Sequence, residues 1–232
     1  VTLYALTDLS NRSEVNVNLL THLAYERTLH LTTVEGLPVT EAKKQAESEV
    51  LKSFGIEGDF DAAEDLNIFG ESDQNAALLA ISILMQGDLS EADFSERLAN
   101  YAADIETDGI WNDSKTATKI ADWASEQSLE GELTTIRNNI ETWNHSANVP
   151  AFESFIENFW QNNYGIGTCN SNNQESITQN KNATSTHNDE HYICKSNTWS
   201  IATTLDYDTY KHVCDEDGKI IYGNVTGSAY LC

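Results

Sequence analysis

The sequence predicts a mainly α protein in which a compact multi-helix domain is followed by small disulfide-stapled β modules. Between about residues 13 and 166, apolar residues recur at the helical period, and capping residues separate the segments. After Gly165-Ile166-Gly167 the chain becomes polar and then continues in short β-like pieces. All four cysteines lie in this last part, between residues 169 and 232.

The first helical segment, SEVNVNLLTHLAYERTLHL, is predicted to form one long amphipathic helix with a broad inward face. That face contains Leu19, Leu20, Leu23, Arg27, Leu31 and Val34. The next segment has Pro38 near its start and Gly55 just past its end, which is the usual asymmetry of helix termini.

Further segments are predicted from their caps. Ser72 and Asp73 precede AALLAISILM, which is apolar nearly all round and too short to cross a membrane, so a central core helix is expected. Ser90 is the expected N-cap of the next helix, with acidic residues in its first turn. Three more helices are predicted in DSKTATKIADWASEQ, LEGELTTIRNNIETW and VPAFESFIENFWQNNYG, and the aromatic residues of all these helices are predicted to pack in the core.

Four regions follow from this pattern. Residues 1–12 alternate like the last strand of a β domain and are predicted to be the end of a truncated upstream β element or a linker. Residues 13–166 form the helical domain. Residues 167–204 and 205–232 form a first and a second cysteine-pair module, the second truncated at its end. Within the first, residues 170–190 are too polar to bury a core of their own.

The charge excludes several classes of partner. The chain has 37 acidic and 13 basic residues, a net charge of −24. Because no basic patch is available to neutralise phosphates, neither nucleic acid nor an anionic membrane surface is an expected partner. The composition is typical of an acidic, exported protein.

Four cysteines confined to one polar segment indicate local disulfides, for which three pairings are possible. Their spacing is far wider than that of zinc-binding CxxC pairs. The segment is also internally repeated: a cysteine is followed by Tyr-x-Cys at Tyr192-Ile193-Cys194 and again at Tyr230-Leu231-Cys232. The repeat favours the pairs Cys169–Cys194 and Cys214–Cys232.

The C-terminal stretch WSIATTLDYDTYKHVCDEDGKIIYGNVTGSAYLC resembles the cysteine-pair module of Fibrobacter-type paralogous cell-envelope lipoproteins. The helical stretches EVNVNLLTHLAYERTLHL and EAKKQAESEVLKSFGI are similar to the region that precedes such modules. The family commonly has Gly where this chain has Lys211, and the Asn-rich loop of the first module is unusually long. The matching positions are Tyr192, Cys194, Trp199, Tyr207, Asp208, Thr209, Tyr210, Cys214, Asp217, Gly218, Tyr230 and Cys232.

The resemblance implies an exported lipoprotein of the cell envelope, anchored through a lipidated cysteine and a small β domain that would precede this chain. It implies no known reaction and no known ligand. We therefore expect a non-enzymatic region that serves in attachment, assembly or binding of extracellular polysaccharide or envelope proteins, with no cofactor and a monomeric state. The alternative is a carbohydrate-active or other hydrolytic enzyme with its site in the helical domain.

Metal sites are weakly indicated. The segment starting at Asp215 does not fit an EF-hand loop, because Gly218 falls at position 4 and Thr226 at position 12. Asp217-Gly218 is better interpreted as a hairpin turn. The remaining calcium candidates are Asp206, Asp208, Asp215 and Asp217.

A second candidate set, His22, Glu26 and His30, has helical spacing but no fourth ligand, and a solvated boundary position is the simpler interpretation. Four aromatic residues of the small β modules are the candidate ligand contacts, since so small a core need not bury them all. These are Trp199, Tyr207, Tyr210 and Tyr222. The simpler interpretation is that they form the small core and pack on the helical domain.

Overall fold

The computed structural model describes residues 1–10, 12–87, 89–143, 148–210 and 220–231. The chain divides into two compact units, Val1–Trp160 and Gln161–Cys232. In the described ranges the first unit is helical and the second contains two small antiparallel sheets, as the sequence predicts in outline. No helix in these ranges is long and apolar enough to cross a membrane.

Helices α1 to α8 follow one another through the first unit, and a short 3₁₀ helix, Ala63–Asp65, lies between α3 and α4. Predicted caps are present: Ser72 accepts a hydrogen bond from the Asn75 amide, and Ser90 accepts one from the Asp93 amide. The helices are α1 (Leu19–Leu23), α2 (Tyr25–Thr33), α3 (Val39–Ser53), α4 (Asp73–Gln86), α5 (Glu91–Ile105), α6 (Ser114–Leu129), α7 (Glu132–Glu141) and α8 (Glu153–Asn163).

Helix α4 is central, as predicted from its apolar sequence. Eight of its residues are buried, and they point in nearly all directions around the helix axis. They are Ala76, Ala77, Leu78, Leu79, Ala80, Ile81, Leu84 and Met85.

The first helix differs from its prediction. It starts at Leu19 rather than near Ser13, because Asn18 forms a capping box with Thr21 and donates its side-chain amide to the carbonyl of Ala63, at 2.7 Å. These bonds fix the chain before α1 to the 3₁₀ helix. A local break at Ala24 then separates α1 from α2.

The N-terminal segment also differs from its prediction. Residues 1–10 contain no strand, and they lie along the helices instead. The Tyr4 carbonyl accepts a hydrogen bond from Thr21 Oγ1 (3.1 Å), and Thr7 Oγ1 donates to Glu64 Oε1 (2.7 Å). Because the backbone groups of Tyr4 bond to side chains of α1, this alternating segment packs on the helices without a partner strand.

A buried arginine joins three parts of the first unit. Arg27 on α2 is only 4% exposed, and its guanidinium contacts Glu49 on α3 through two bonds, with Nε at 2.8 Å from Oε2. It also pairs with Glu35 and donates to the carbonyls of Glu106 and Thr107, just past α5. The guanidinium thus satisfies carbonyls left open at the end of α5. Its bonds to Glu49 and Glu35 keep the pKa of Arg27 above its usual value.

The second unit is built from two sheets and helix α9 (Thr204–Thr209). Strands β1 (Ile177–Gln179), β2 (His191–Lys195) and β3 (Thr198–Ile201) form one antiparallel sheet with β2 in the middle. Strands β4 (Ile220–Tyr222) and β5 (Ala229–Leu231) form a separate hairpin. The connection between β4 and β5 is residues 223–228, whereas Asp217-Gly218, the predicted turn, lies outside the described residues.

The predicted disulfide Cys169–Cys194 is present and joins the start of the second unit to β2. Cys214 and Cys232, the other predicted pair, lie outside the described residues. The polar segment 170–190 is more ordered than its composition suggests, because side-chain amides replace an apolar core. Asn180, for example, is buried and donates to Ser185 Oγ and to the His187 carbonyl.

Replacing Arg27 with Met should lower the free energy of unfolding of the helical unit by about 3 kcal/mol, because Glu49 would keep its charge without its partner. Urea denaturation followed by the helical circular-dichroism signal measures this loss. The matched control is Lys44→Met, whose partner Asp59 and whose own ammonium are both exposed, so its effect should stay below about 1 kcal/mol. An Arg27→Met variant as stable as the control would show that the buried network is dispensable.

Removing the disulfide with the double change Cys169→Ala and Cys194→Ala should destabilise the three-stranded sheet by about 3 kcal/mol, since a loop of this length is no longer closed in the unfolded state. Amide exchange in β2 and β3 should then accelerate about a hundredfold. Exchange in α3 and α4 serves as the internal control. Unchanged protection of the sheet would mean that hydrogen bonding alone holds it.

Candidate functional site

The predicted aromatic candidates of the second unit are not equally accessible. Trp199 is 2% exposed, and its Nε1 donates to the Gly167 carbonyl at 2.8 Å, so neither face of the indole can meet a ligand. Tyr207 and Tyr210 are half-buried, and Tyr207 lies edge-on to the His191 ring. Of the four, only Tyr222 is well exposed, at 65%.

Two of the calcium candidates are internal carboxylates with protein partners. Asp206 forms a capping box with Thr203 and an ion pair with Lys195. These bonds oppose the effect of burial and lower the pKa of Asp206. Asp215 and Asp217 lie outside the described residues.

Asp208 is fully enclosed and receives four hydrogen bonds from the β4–β5 hairpin. Its Oδ1 accepts from the amides of Val225 and Thr226, each at 2.8 Å, and its Oδ2 accepts from Thr226 Oγ1 and from Tyr230 Oη. The hydroxyl donors above all hold the pKa of Asp208 far below its usual range. With both oxygens occupied, this carboxylate stabilises the hairpin and has no lone pair directed at a metal ion.

The histidine set on the first helices does not converge. His22 Nδ1 accepts the Tyr4 amide at 3.3 Å, and burial lowers its pKa, so its imidazole is neutral at pH 7. His30 faces Glu35 instead, with Nε2 at 3.6 Å from Oε1. In the described part of the chain, no three His, Cys, Asp or Glu side chains are grouped so as to hold a metal ion.

Two buried carboxylates of the first unit, Glu47 and Glu64, share one lysine. Lys43 Nζ lies 2.7 Å from Glu47 Oε1 and 2.6 Å from Glu64 Oε2. The other two oxygens accept from the Ala63 amide and from Thr7 Oγ1. Since all four carboxylate oxygens are engaged, the cluster anchors the N-terminal segment and the 3₁₀ helix to α3 and offers no free general acid or base.

A groove of about 580 Å³ with a largely apolar lining is a candidate ligand site of the first unit. Its floor comes from apolar residues of α4, α5 and the segment before α1, among them Leu79, Ile83 and Phe94. Among the residues that the structure describes, no charged side chain lines it, although the chain carries 37 acidic residues, and the amino group of the lining residue Val1 is paired with Glu91. We refer to it as the Trp143 groove, after the side chain at its edge.

Trp143 is 65% exposed, which the sequence did not predict. It stands three residues after the buried Ile140 and would share its inward face if α7 continued. The helix ends at Glu141, and this early end leaves the indole at the rim of the groove. The end of α7 two residues before Trp143 is the one signal that could have identified this exposed indole.

Four side-chain amides line the same groove: Asn16, Asn18, Asn67 and Gln86. That of Asn18 already donates to the carbonyls of Ala63 and Leu66. Asn16 donates its Nδ2 to the Leu66 carbonyl, which leaves its Oδ1 as an acceptor. Asn67 accepts the Phe69 amide through Oδ1, which leaves its NH₂ as a donor. The rim therefore presents neutral donors and acceptors next to a large aromatic face.

Comparison of the chain with protein-family models, with curated proteins and with solved structures gave no match.

Replacing Asp208 with Asn should loosen the β4–β5 hairpin, because one oxygen that accepts hydrogen bonds becomes an NH₂ group facing donors. The lowered pKa also sets a pH dependence: the hairpin gains stability from ionised Asp208 above about pH 4 and loses it as the pH falls through and below that value. Amide exchange at Val225 and Thr226, corrected for intrinsic rates, should therefore be faster at pH 3 than at pH 6, and fast at both in the variant.

The matched control is Asp189→Asn, an exposed carboxylate of the same unit. It should leave both the exchange rates and their pH dependence unchanged. Equal rates for the Asp208 variant and the unaltered protein at pH 6 would show that the four hydrogen bonds do not hold the hairpin.

Proposed function

We propose that this chain is a non-enzymatic binding region of an exported cell-envelope lipoprotein, and that the Trp143 groove attaches it to a neutral extracellular polysaccharide. The disulfide Cys169–Cys194 is typical of a protein that folds in an oxidising compartment. The resemblance of the C-terminal segment to Fibrobacter-type lipoproteins supports the envelope and the lipid anchor outside this chain. The strongly negative charge supports partners other than nucleic acid or anionic lipid.

The observation that carries the proposal is an exposed tryptophan beside a largely apolar groove whose described lining has amides and no charged side chain. Sugar rings present apolar C–H faces and hydroxyl groups at their edges. An indole face covers the first, and amides exchange hydrogen bonds with the second. The one charged group among the described lining residues is the Val1 amino group, which Glu91 already pairs, so the chemistry favours a neutral glycan over a charged polymer.

The buried acids of the helical unit support a binding role over a hydrolytic one. A hydrolase that uses two carboxylates needs both to face the substrate, one of them able to give up a proton. Glu47 and Glu64 are instead saturated by Lys43, Thr7 and the Ala63 amide. None of the described residues that line the Trp143 groove carries a carboxylate.

Trp143→Ala should weaken binding to insoluble neutral glucan about tenfold, because the main apolar contact is lost. Depletion isotherms with cellulose measure this effect, and an acidic polysaccharide such as polygalacturonate should be retained less by the unaltered protein. The matched control is Tyr222→Ala, which removes an equally exposed aromatic ring from the second unit.

The two variants separate the competing sites. If Tyr222→Ala lost binding and Trp143→Ala did not, the glycan site would be assigned to the β4–β5 hairpin of the second unit. Absence of retention of the unaltered protein on every neutral glucan tested would contradict the polysaccharide proposal.

A further inference from the structure

A second cleft of the helical unit has a different chemistry from the Trp143 groove. Its volume is about 530 Å³, and it lies between the N-terminal segment, the α1–α2 helices and α5. Thr2 and Tyr4 line this cleft and Leu3 lines the groove, whereas Val1 lines both. We refer to this second site as the Tyr4 cleft.

Three stacked rings form one wall of the Tyr4 cleft. The Tyr4 ring lies over both His22 and Tyr25, with centroid distances of 5.7 and 5.4 Å and interplanar angles near 30°. The stack is held in place, since the Tyr4 amide donates to His22 Nδ1 and its carbonyl accepts from Thr21. Tyr4 remains 50% exposed, which leaves aromatic surface for a ligand.

The opposite wall is smooth and belongs to α5. It is lined by side chains of one or two heavy atoms, namely Ser95, Ala99, Ala102 and Ala103, apart from the buried Leu98. The absence of long side chains from this face gives the cleft its depth. A compact group can therefore lie against the rings.

Both charged side chains that line the Tyr4 cleft are carboxylates, and the one cationic group among the described lining residues, the Val1 amino group, is paired with Glu91. The two carboxylates are those of Glu26 and Glu106, and neither takes part in an ion pair among the residues that the structure describes. The neighbouring Arg27 points away, into the buried network. His22 adds no positive charge, because it accepts a hydrogen bond through Nδ1 and burial favours its neutral form.

Aromatic faces together with unpaired carboxylates are the arrangement that recognises alkylammonium groups, since the ring quadrupole and the carboxylates both attract a cation with an apolar surface. We propose that the Tyr4 cleft binds a small ligand through such a group, with Tyr4 and Tyr25 as the aromatic contacts and Glu26 as the main counter-charge. This site is independent of the polysaccharide site, and each can fail without the other.

The test uses choline as the cation and 3,3-dimethylbutan-1-ol as its uncharged isostere, titrated into the ¹⁵N-labelled protein and followed by amide chemical shifts. Choline should shift the amides of Tyr4, Tyr25 and α5 and bind about tenfold tighter than the isostere. Higher salt should weaken choline binding and leave the isostere unaffected.

Three variants locate the contacts. Glu26→Gln, at an exposed position, should bring choline close to the affinity of its isostere, and Tyr25→Leu should weaken choline binding about fivefold. The matched control, Glu96→Gln, removes an exposed carboxylate from α5 outside the cleft and should change nothing. Equal affinities for choline and the isostere, no shifts at tens of millimolar choline, or unaltered binding in Glu26→Gln would each overturn the proposal.

Discussion

The buried guanidinium of Arg27 is the interaction on which the helical unit depends. A cation that is 4% exposed is tolerated only with several partners, and Arg27 has two carboxylates and two backbone carbonyls. Because these partners belong to α3, to the turn after α2 and to the end of α5, one side chain sets the relative positions of three helices. The Tyr4 cleft lies between two of them, so its width follows from this network.

The N-terminal segment shows how one local pattern can have two structural meanings. Alternation of side chains predicts a strand, and in a sheet it would place Leu3 on one face and Tyr4 on the other. The structure keeps the alternation and replaces the partner strand with helical side chains: Thr21, His22 and Glu64 accept or donate the hydrogen bonds. Thr2 and Tyr4 then line the Tyr4 cleft and Leu3 lines the Trp143 groove, while Val1 lines both. Sequence alone could not show this, because an alternating pattern does not reveal which element packs against the segment.

What the sequence predicted well is local, and what it missed depends on distant contacts. The caps at Ser72 and Ser90, the central position of α4 and the Cys169–Cys194 pair follow from neighbouring residues or from a repeat. Two tryptophans show this: the predicted core position of Trp143 was wrong, and Trp199, a candidate ligand contact, is buried in accordance with its alternative interpretation as a core residue. Trp199 is buried by a bond to Gly167, 32 residues away, and Trp143 is exposed because α7 stops before it.

Helix α9 was also missed, although Thr203 and Asp206 form a capping box that was legible in the sequence. The β-like residues on both sides of this segment concealed it, since a helix of six residues has little periodicity to detect.

The residues that carry the lipoprotein resemblance have a physical explanation within the second unit. Tyr192, Cys194, Trp199 and Asp208 are at most 2% exposed, and Tyr230 donates its hydroxyl to Asp208. The loop that encloses Asp208 even requires a glycine, because a Cβ at Gly223 would lie 2.5 Å from the Asp208 carboxyl carbon. These positions stabilise a unit that has too little apolar surface to fold by burial alone. A motif explained by folding says nothing about the ligand, which is why the binding residues are to be sought among side chains outside it, in the Trp143 groove and the Tyr4 cleft.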